Sequence, residues 1–128
     1  MNLNEYQELA LKTATYGQAI DKLVVAAVQS RNPESVASVM RLSYVSHGLA
    51  GEAGEFNDQV KRVTRDDGGL LTPERRQKLI KELGDVAWYL SQAARELGVT
   101  LEEVAKQNIE KLASRAQRGV LTGEGGER

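Results

Sequence analysis

The chain contains no cysteine, which removes disulfides, zinc–thiolate sites and cysteine nucleophiles together and fits a reducing compartment. A single histidine, His47, is present, and it is assigned no chemical role. Aromatic residues are sparse, with one Trp, one Phe and four Tyr inside a hydrophobic share of 41%. The core is therefore expected to be built from small aliphatic side chains, and such thin helices bury more surface by pairing between chains, as in an obligate dimer. The longest apolar run, Leu23 to Val28, is far shorter than the roughly 20 residues of a membrane-spanning helix. Neither sign of charge dominates: 17 Lys+Arg stand against 18 Asp+Glu for a net charge of −1. No overall field recommends nucleic acid or an anionic membrane as a partner, so anion binding must be local. A soluble, cytoplasmic protein is expected. There is no strand pattern and no internal repeat beyond two acidic pairs, which leaves an all-α fold of four to five helices.

Taken in order, Asn4 is the expected N-cap of a first helix ending near Tyr16-Gly17, with Tyr6, Leu9, Ala10 and Thr13 at helical spacing. A second apolar stretch runs from Ala19 to Val28, stopped by Ser30-Arg31-Asn32-Pro33, and Pro33 suits the first turn of the next helix. That third helix is read between Glu34 and Thr64, with Leu42, Val45, Leu49, Ala53, Phe56, Val60 and Val63 as its apolar stripe. Three glycines, Gly48, Gly51 and Gly54, each weaken it by about 1 kcal/mol relative to alanine, so close approach of a neighbouring helix or a ligand is expected there. After the turn Asp66-Asp67-Gly68-Gly69, Thr72-Pro73-Glu74 starts a fourth helix running to about Leu97-Gly98. Thr100 caps a fifth that continues to about Arg118, and a glycine-rich tail follows. The domain expectation is residues 1–118 for the helical body and 119–128 for the tail.

The chemistry lies between Gly48 and Asp85. Glu52 and Glu55 are three residues apart, and so are Glu82 and Asp85. Residues three apart share a helix face, and each pair flanks the apolar stripe of its helix, so two packed helices would aim four carboxylates at one place. Such a cluster repels itself unless cations fill it. Single Glu-x-x-Glu pairs are common on solvated faces; two pairs, both bordering a core, point to a hard-metal site. Oxygen ligands select Mg²⁺ or Mn²⁺ over zinc, and the Glu-x-x-His spacing of di-iron bundles is absent. Asn108, Lys111 and Arg115 fall within or beside the apolar stripe of the last helix, an odd place for polar groups, and with Arg62 they are candidate phosphate partners. Lys111 and Arg115 could equally lay their stems over the core. Trp88 and Tyr89 are more simply core or interface aromatics than base-stacking platforms. Together the features suggest phosphoanhydride hydrolysis, with one carboxylate taking the proton of a water.

These residues resemble the MazG-like, all-α nucleoside triphosphate pyrophosphohydrolases, whose signature Glu-x-x-Glu, spacer, Glu-x-x-Asp is matched by Glu52, Glu55, Glu82 and Asp85. The flanking words Gly-Leu-Ala-Gly-Glu-Ala-Gly-Glu-Phe and Glu-Leu-Gly-Asp-Val-Ala-Trp-Tyr-Leu match too, and the likeness extends from Tyr6-Gln7 to Asn108-Ile109-Glu110-Lys111-Leu112. The resemblance implies a helical bundle assembled as a homodimer or homotetramer that uses Mg²⁺ to hydrolyse (deoxy)nucleoside triphosphates to the monophosphate and pyrophosphate. It makes Glu52, Glu55, Glu82 and Asp85 metal ligands, with Glu52 or Glu55 positioning or deprotonating water. Asn108 and Lys111 correspond to polar residues that lie near the substrate in that family; together with Arg115 and Arg62 from the charge pattern, Tyr89 and the tail's Arg128, they make up the candidate substrate contacts. Gly126 stands where the tail of small phage and bacterial members has an acid. The stretch from Gln18 to Ser38, longer than a minimal member needs, is a candidate for the nucleobase pocket or the dimer interface. Phosphoribosyl-ATP pyrophosphohydrolase is an alternative within the same chemistry. A non-catalytic helical module binding nucleotide or a protein partner is the alternative outside it.

Overall fold

Asn2, and not Asn4, starts the first helix. In the computed structural model, which describes residues 2–29 and 33–119, Asn2 Oδ1 accepts from the Glu5 amide at 2.9 Å and the Asn2 amide donates to the Glu5 carboxylate at 3.0 Å. This reciprocal capping box also places an acid in the first turn, where the helix dipole favours it. The helix, α1 (Leu3–Leu11), stops well before Tyr16. The Thr13 and Ala14 amides donate to Ala10 and Leu11, and the Thr13 hydroxyl donates to the Ala10 carbonyl at 3.0 Å, so tightened bonds replace the next helical turn. The second helix, α2 (Tyr16–Gln29), begins one turn earlier than the apolar stretch suggested. Its expected stop at Ser30-Arg31-Asn32 lies outside the described residues.

Five helices and no strand occur among the described residues, so the fold is all-α. Contacts divide the chain into a unit of residues 1–40 and a unit of residues 41–128. In the first, α1 and α2 bury no residue. The site belongs to the second, which takes most of α3 (Pro33–Arg65), then α4 (Pro73–Glu96) and α5 (Leu101–Gln117). The helix α3 continues unbroken through its three glycines.

Two glycines in the left-handed region, Gly68 at φ 62° and Gly69 at φ 81°, reverse the chain after α3, and the Gly69 amide donates to the Val63 carbonyl at 2.9 Å. Thr72 then caps α4 as expected, its hydroxyl accepting from the Arg75 amide at 3.2 Å with Pro73 in the first turn. At the far end the Val99 amide bonds Ala94 and the Gly98 amide bonds Arg95, both at 3.0 Å, a Schellman ending that requires the φ of 71° at Gly98. Thr100 caps α5, which packs against α4.

Contacts between α3 and α4 give their register. Arg41 reaches Glu96, Gly48 lies against Tyr89, Glu52 approaches Asp85 and Glu82, and Gln59 meets Arg75. Steps forward along α3 match steps back along α4, so the two form an antiparallel hairpin. Few side chains are fully covered: Val45 at 8% exposure and Ala94 at 3% are the buried apolar residues among those described. Leu83, Trp88, Ile109 and Leu112 remain substantially open. No helix among the described residues is long and apolar enough to cross a membrane.

Candidate metal and phosphate site

The antiparallel register carries the two acidic pairs to the same level of the hairpin. Glu52 of α3 and Glu82 and Asp85 of α4 each offer a carboxylate oxygen, and the three oxygens lie within 4.8 Å of one another. Glu52 and Glu82 are half-buried, and Asp85 is exposed. Partial desolvation raises the Glu52 carboxyl above its ordinary value, and the neighbouring charges of Glu55, Asp85 and Glu82 push it in the same direction. Glu55 is exposed and stands outside the convergent three, yet near enough for its charge to act on Glu52.

A hard cation suits this donor set, which is wholly carboxylate oxygen. The 4.8 Å spread is little more than twice a Mg–O distance of about 2.1 Å, so small rotamer changes bring all three oxygens to one ion.

The aromatic neighbour of the cluster is Tyr89. Its ring lies against Gly48, where an added Cβ would overlap it, and meets Trp88 edge-on at 4.8 Å between centroids. Close approach thus accounts for Gly48. It does not account for Gly51 or Gly54, where an added Cβ would meet no other element within 4 Å among the described residues.

The expected phosphate partners are distributed differently. Asn108 and Lys111 are exposed and line a shallow groove on α5 with Val104 and Gln107. Arg115 is half-buried, and its Nε, enclosed, has no hydrogen-bond partner among the described residues. Arg62 is engaged within its own helix, its Nε donating to Asp58 at 2.6 Å. Arg128 lies outside the described residues, as does the tail from residue 120. The structure therefore brings Glu52, Glu82, Asp85 and Tyr89 to one region without showing a contact from Asn108, Lys111 or Arg115 to the carboxylates.

Sequence reasoning passed over Asp58, although its spacing to Lys61 and Arg62 is the i,i+3 and i,i+4 pattern of helix ion pairs. Both cations bond it. Its carboxyl is lowered from 3.8 to about 2, first by the Lys61 hydrogen bond and then by that of Arg62. A depressed carboxylate contributes stability above its unfolded value and loses it as pH falls through the folded one. Asp58→Asn is accordingly expected to melt slightly below wild type at pH 5 to 7, with the two curves converging between about pH 4 and pH 2; thermal melts across that range check this.

An all-helical chain with a carboxylate cluster spanning two antiparallel helices is the class this geometry defines. Residues 42–120, more than half of the chain, match the MazG nucleotide pyrophosphohydrolase domain. The chain belongs to this family, and a nucleotide pyrophosphohydrolase activity goes with it. It is also similar to the "Gene 37 protein" of Mycobacterium phage L5, at 42% identity over 128 residues and the full length of both chains. No solved structure matches the chain significantly.

Proposed function

We propose that the protein is a Mg²⁺-dependent pyrophosphohydrolase that converts (deoxy)nucleoside triphosphates to the monophosphate and pyrophosphate, clearing unwanted members of the cytoplasmic nucleotide pool. Mn²⁺ would serve in place of Mg²⁺. The observation that carries this reading is the convergence of Glu52, Glu82 and Asp85 within 4.8 Å, in a chain of the MazG family. Three carboxylates held together across two helices destabilise each other in the absence of a cation, a cost that is unexplained unless an ion offsets it. Glu52, Glu82 and Asp85 would hold the ion, and Glu55 either joins them or acts on water. A bound divalent cation would supply charge neutralisation for the phosphate oxygens.

The chain's own groups do the rest. In the second of these roles Glu55, exposed beside the cluster, takes a proton from water as the water oxygen bonds to phosphorus. The α–β anhydride bond then breaks and pyrophosphate leaves with the electron pair. Lys111 and Arg115 are the cations for the triphosphate, with Asn108 beside them. The open apolar side chains of Leu83, Trp88, Ile109 and Leu112 support assembly with further copies as a homodimer or homotetramer.

A panel of canonical and modified nucleoside triphosphates, with phosphoribosyl-ATP included, tests the reading by chromatographic detection of monophosphate. The expected result is Mg²⁺-dependent monophosphate and pyrophosphate in equal amounts from at least one nucleoside triphosphate. Turnover of phosphoribosyl-ATP alone would move the function to histidine biosynthesis. Binding of Mg²⁺–nucleotide without turnover of any member would make the chain a binding module.

A further inference from the structure

The contacts between α3 and α4 fall on one seam. Along α4 it is formed by Arg75, Glu82, Tyr89 and Glu96, which recur every seven residues. Along α3 it is formed by Arg41, Gly48, Glu52 and Gln59, separated by seven, four and seven. Seven residues are nearly two full turns, so each set stays on one face with a rise of about 10 Å per step. Gln59 thus stands one such step from Glu52 on α3, and Arg75 one step from Glu82 on α4. The rung next to the carboxylates, on the side of the α3–α4 turn, is the Arg75–Gln59 pair.

That rung is a three-way clamp. Arg75 Nη1 donates to Gln59 Oε1 at 2.6 Å across the seam. Its Nε and Nη2 donate to the two carboxylate oxygens of Asp67, at 2.7 and 3.3 Å, in the turn between the helices. The side chain is only 11% exposed, so solvent screening is weaker than for the other ion pairs of the hairpin. Asp67 is lowered below its ordinary value chiefly by this bond, and Arg75 is raised by it. One guanidinium therefore joins α3, the turn and α4. A bidentate fork of this kind fixes direction as well as distance.

We propose that Arg75 is a positioning residue: through Gln59 and Asp67 it holds the register and separation of α3 and α4 at which Glu52, Glu82 and Asp85 meet. This rests on the reading of those three acids as a cation site. The like-charged carboxylates push the two helices apart at the neighbouring rung, and the clamp opposes that push. Without it the hairpin keeps its helices, capped at Thr72 and closed by the turn glycines, but the three oxygens spread and the ion is bound more weakly.

Mn²⁺ titration by calorimetry, followed by Mg²⁺ dependence of turnover, tests this on wild type, Gln59→Leu, Arg75→Met, Arg75→Lys and the control Arg65→Met. The control removes a surface ion pair with Asp66 that lies off the seam. Gln59→Leu deletes only the cross-helix arm and leaves the Arg75–Asp67 pair intact. Expected is a roughly tenfold weaker Mn²⁺ affinity in Gln59→Leu and Arg75→Met, of the order seen when a ligand's supporting partner is removed. A higher Mg²⁺ midpoint, a lower kcat and little change in nucleotide KM should accompany it. Arg75→Lys, which keeps charge without the fork, should recover only part, and Arg65→Met should match wild type. Wild-type Mn²⁺ affinity and Mg²⁺ midpoint in a folded Gln59→Leu would overturn the proposal. Loss of helical circular dichroism in Gln59→Leu would also overturn it, by assigning the bond to folding alone. If wild type itself bound no Mn²⁺, the reading of the three acids as a cation site would fail, a result distinct from either.

Discussion

Glu52→Gln is expected to cut pyrophosphate release by about 10³-fold, in line with the loss of a charge-stabilising group from a phosphoryl or acyl transfer site, and to raise thermal stability in the absence of metal. The two effects have one origin. The Glu52 carboxyl is raised by partial desolvation and by the charges of Glu55, Asp85 and Glu82, so its ionised form is disfavoured in the folded chain when no cation is present. Replacing it with a neutral amide of nearly the same shape relieves that repulsion and removes one of the proposed cation ligands. With EDTA present, the variant should melt above wild type. With Mg²⁺ added, wild type should gain stability as the ion binds the folded state alone, and the variant should gain less. Differential scanning fluorimetry with and without Mg²⁺, beside the activity assay, separates the possibilities. Activity near wild type, or a variant less stable than wild type in EDTA, would remove the electrostatic basis of the site. Asp85→Asn is expected to follow the same pattern with a smaller stability gain, because Asp85 is exposed. Glu55→Gln distinguishes a ligand from a base: retained Mn²⁺ binding with lost turnover marks the base.

Much of this arrangement was legible in the residues. The 3.6-residue periodicity and the signals at Thr72, Gly98 and Thr100 located the last two helices closely, because capping is a local matter of one side chain and a few amides. The acidic pairs were visible for the same reason, since spacing three needs no tertiary knowledge. Less legible was whatever depends on which residue of one helix meets which residue of another. Gly48, Gly51 and Gly54 read alike in sequence, yet Tyr89 lies against the first, and among the described residues no other element lies where a Cβ on either of the other two would point. Glu55 read as an equal of Glu52, yet it stands outside the convergent three. The Arg75 clamp depends on a turn whose two left-handed glycines return the chain so that Gln59 and Arg75, sixteen residues apart, come into contact. At the N-terminus the error was local: Asn2 and Asn4 are both competent caps, and the reciprocal bonds with Glu5 select the first.

Heptad spacing along α4 also says something about how the site tolerates change. Arg75, Glu82, Tyr89 and Glu96 alternate a clamp, a ligand candidate, an aromatic wedge and an ion-pair partner on a single face. The acidic rung, which repels itself, is therefore bracketed by two rungs that hold the helices together. Rigid neighbours on both sides are what keep ligands in place when the ligands themselves push apart.

The aromatic bracket gives the second large effect, through a contrast among the three glycines. Alanine at Gly51 or Gly54 adds a methyl group that, among the described residues, meets no atom within 4 Å beyond its own stretch of helix, so each substitution should stabilise the chain by about 0.5–1 kcal/mol through helix propensity and a less mobile unfolded state. Alanine at Gly48 has the same intrinsic advantage, but its Cβ overlaps the Tyr89 ring. Overpacking of this kind costs about 1–3 kcal/mol, so a net loss is expected despite the better propensity. Displacing Tyr89 also moves the stretch of α4 that carries Asp85, four residues away, and turnover should fall with stability. Urea melts of the three variants, with Tyr89→Leu alone and combined with Gly48→Ala, resolve the cause: a smaller ring-free side chain should make Gly48→Ala nearly harmless, a coupling that a double-mutant cycle measures directly. Gly48→Ala as stable as wild type would mean that the ring yields without cost and that the bracket is soft. If Gly51→Ala or Gly54→Ala melted higher yet lost turnover, the open space beside those glycines would belong to the substrate or to a second copy of the chain, and the glycines would be there to leave it clear.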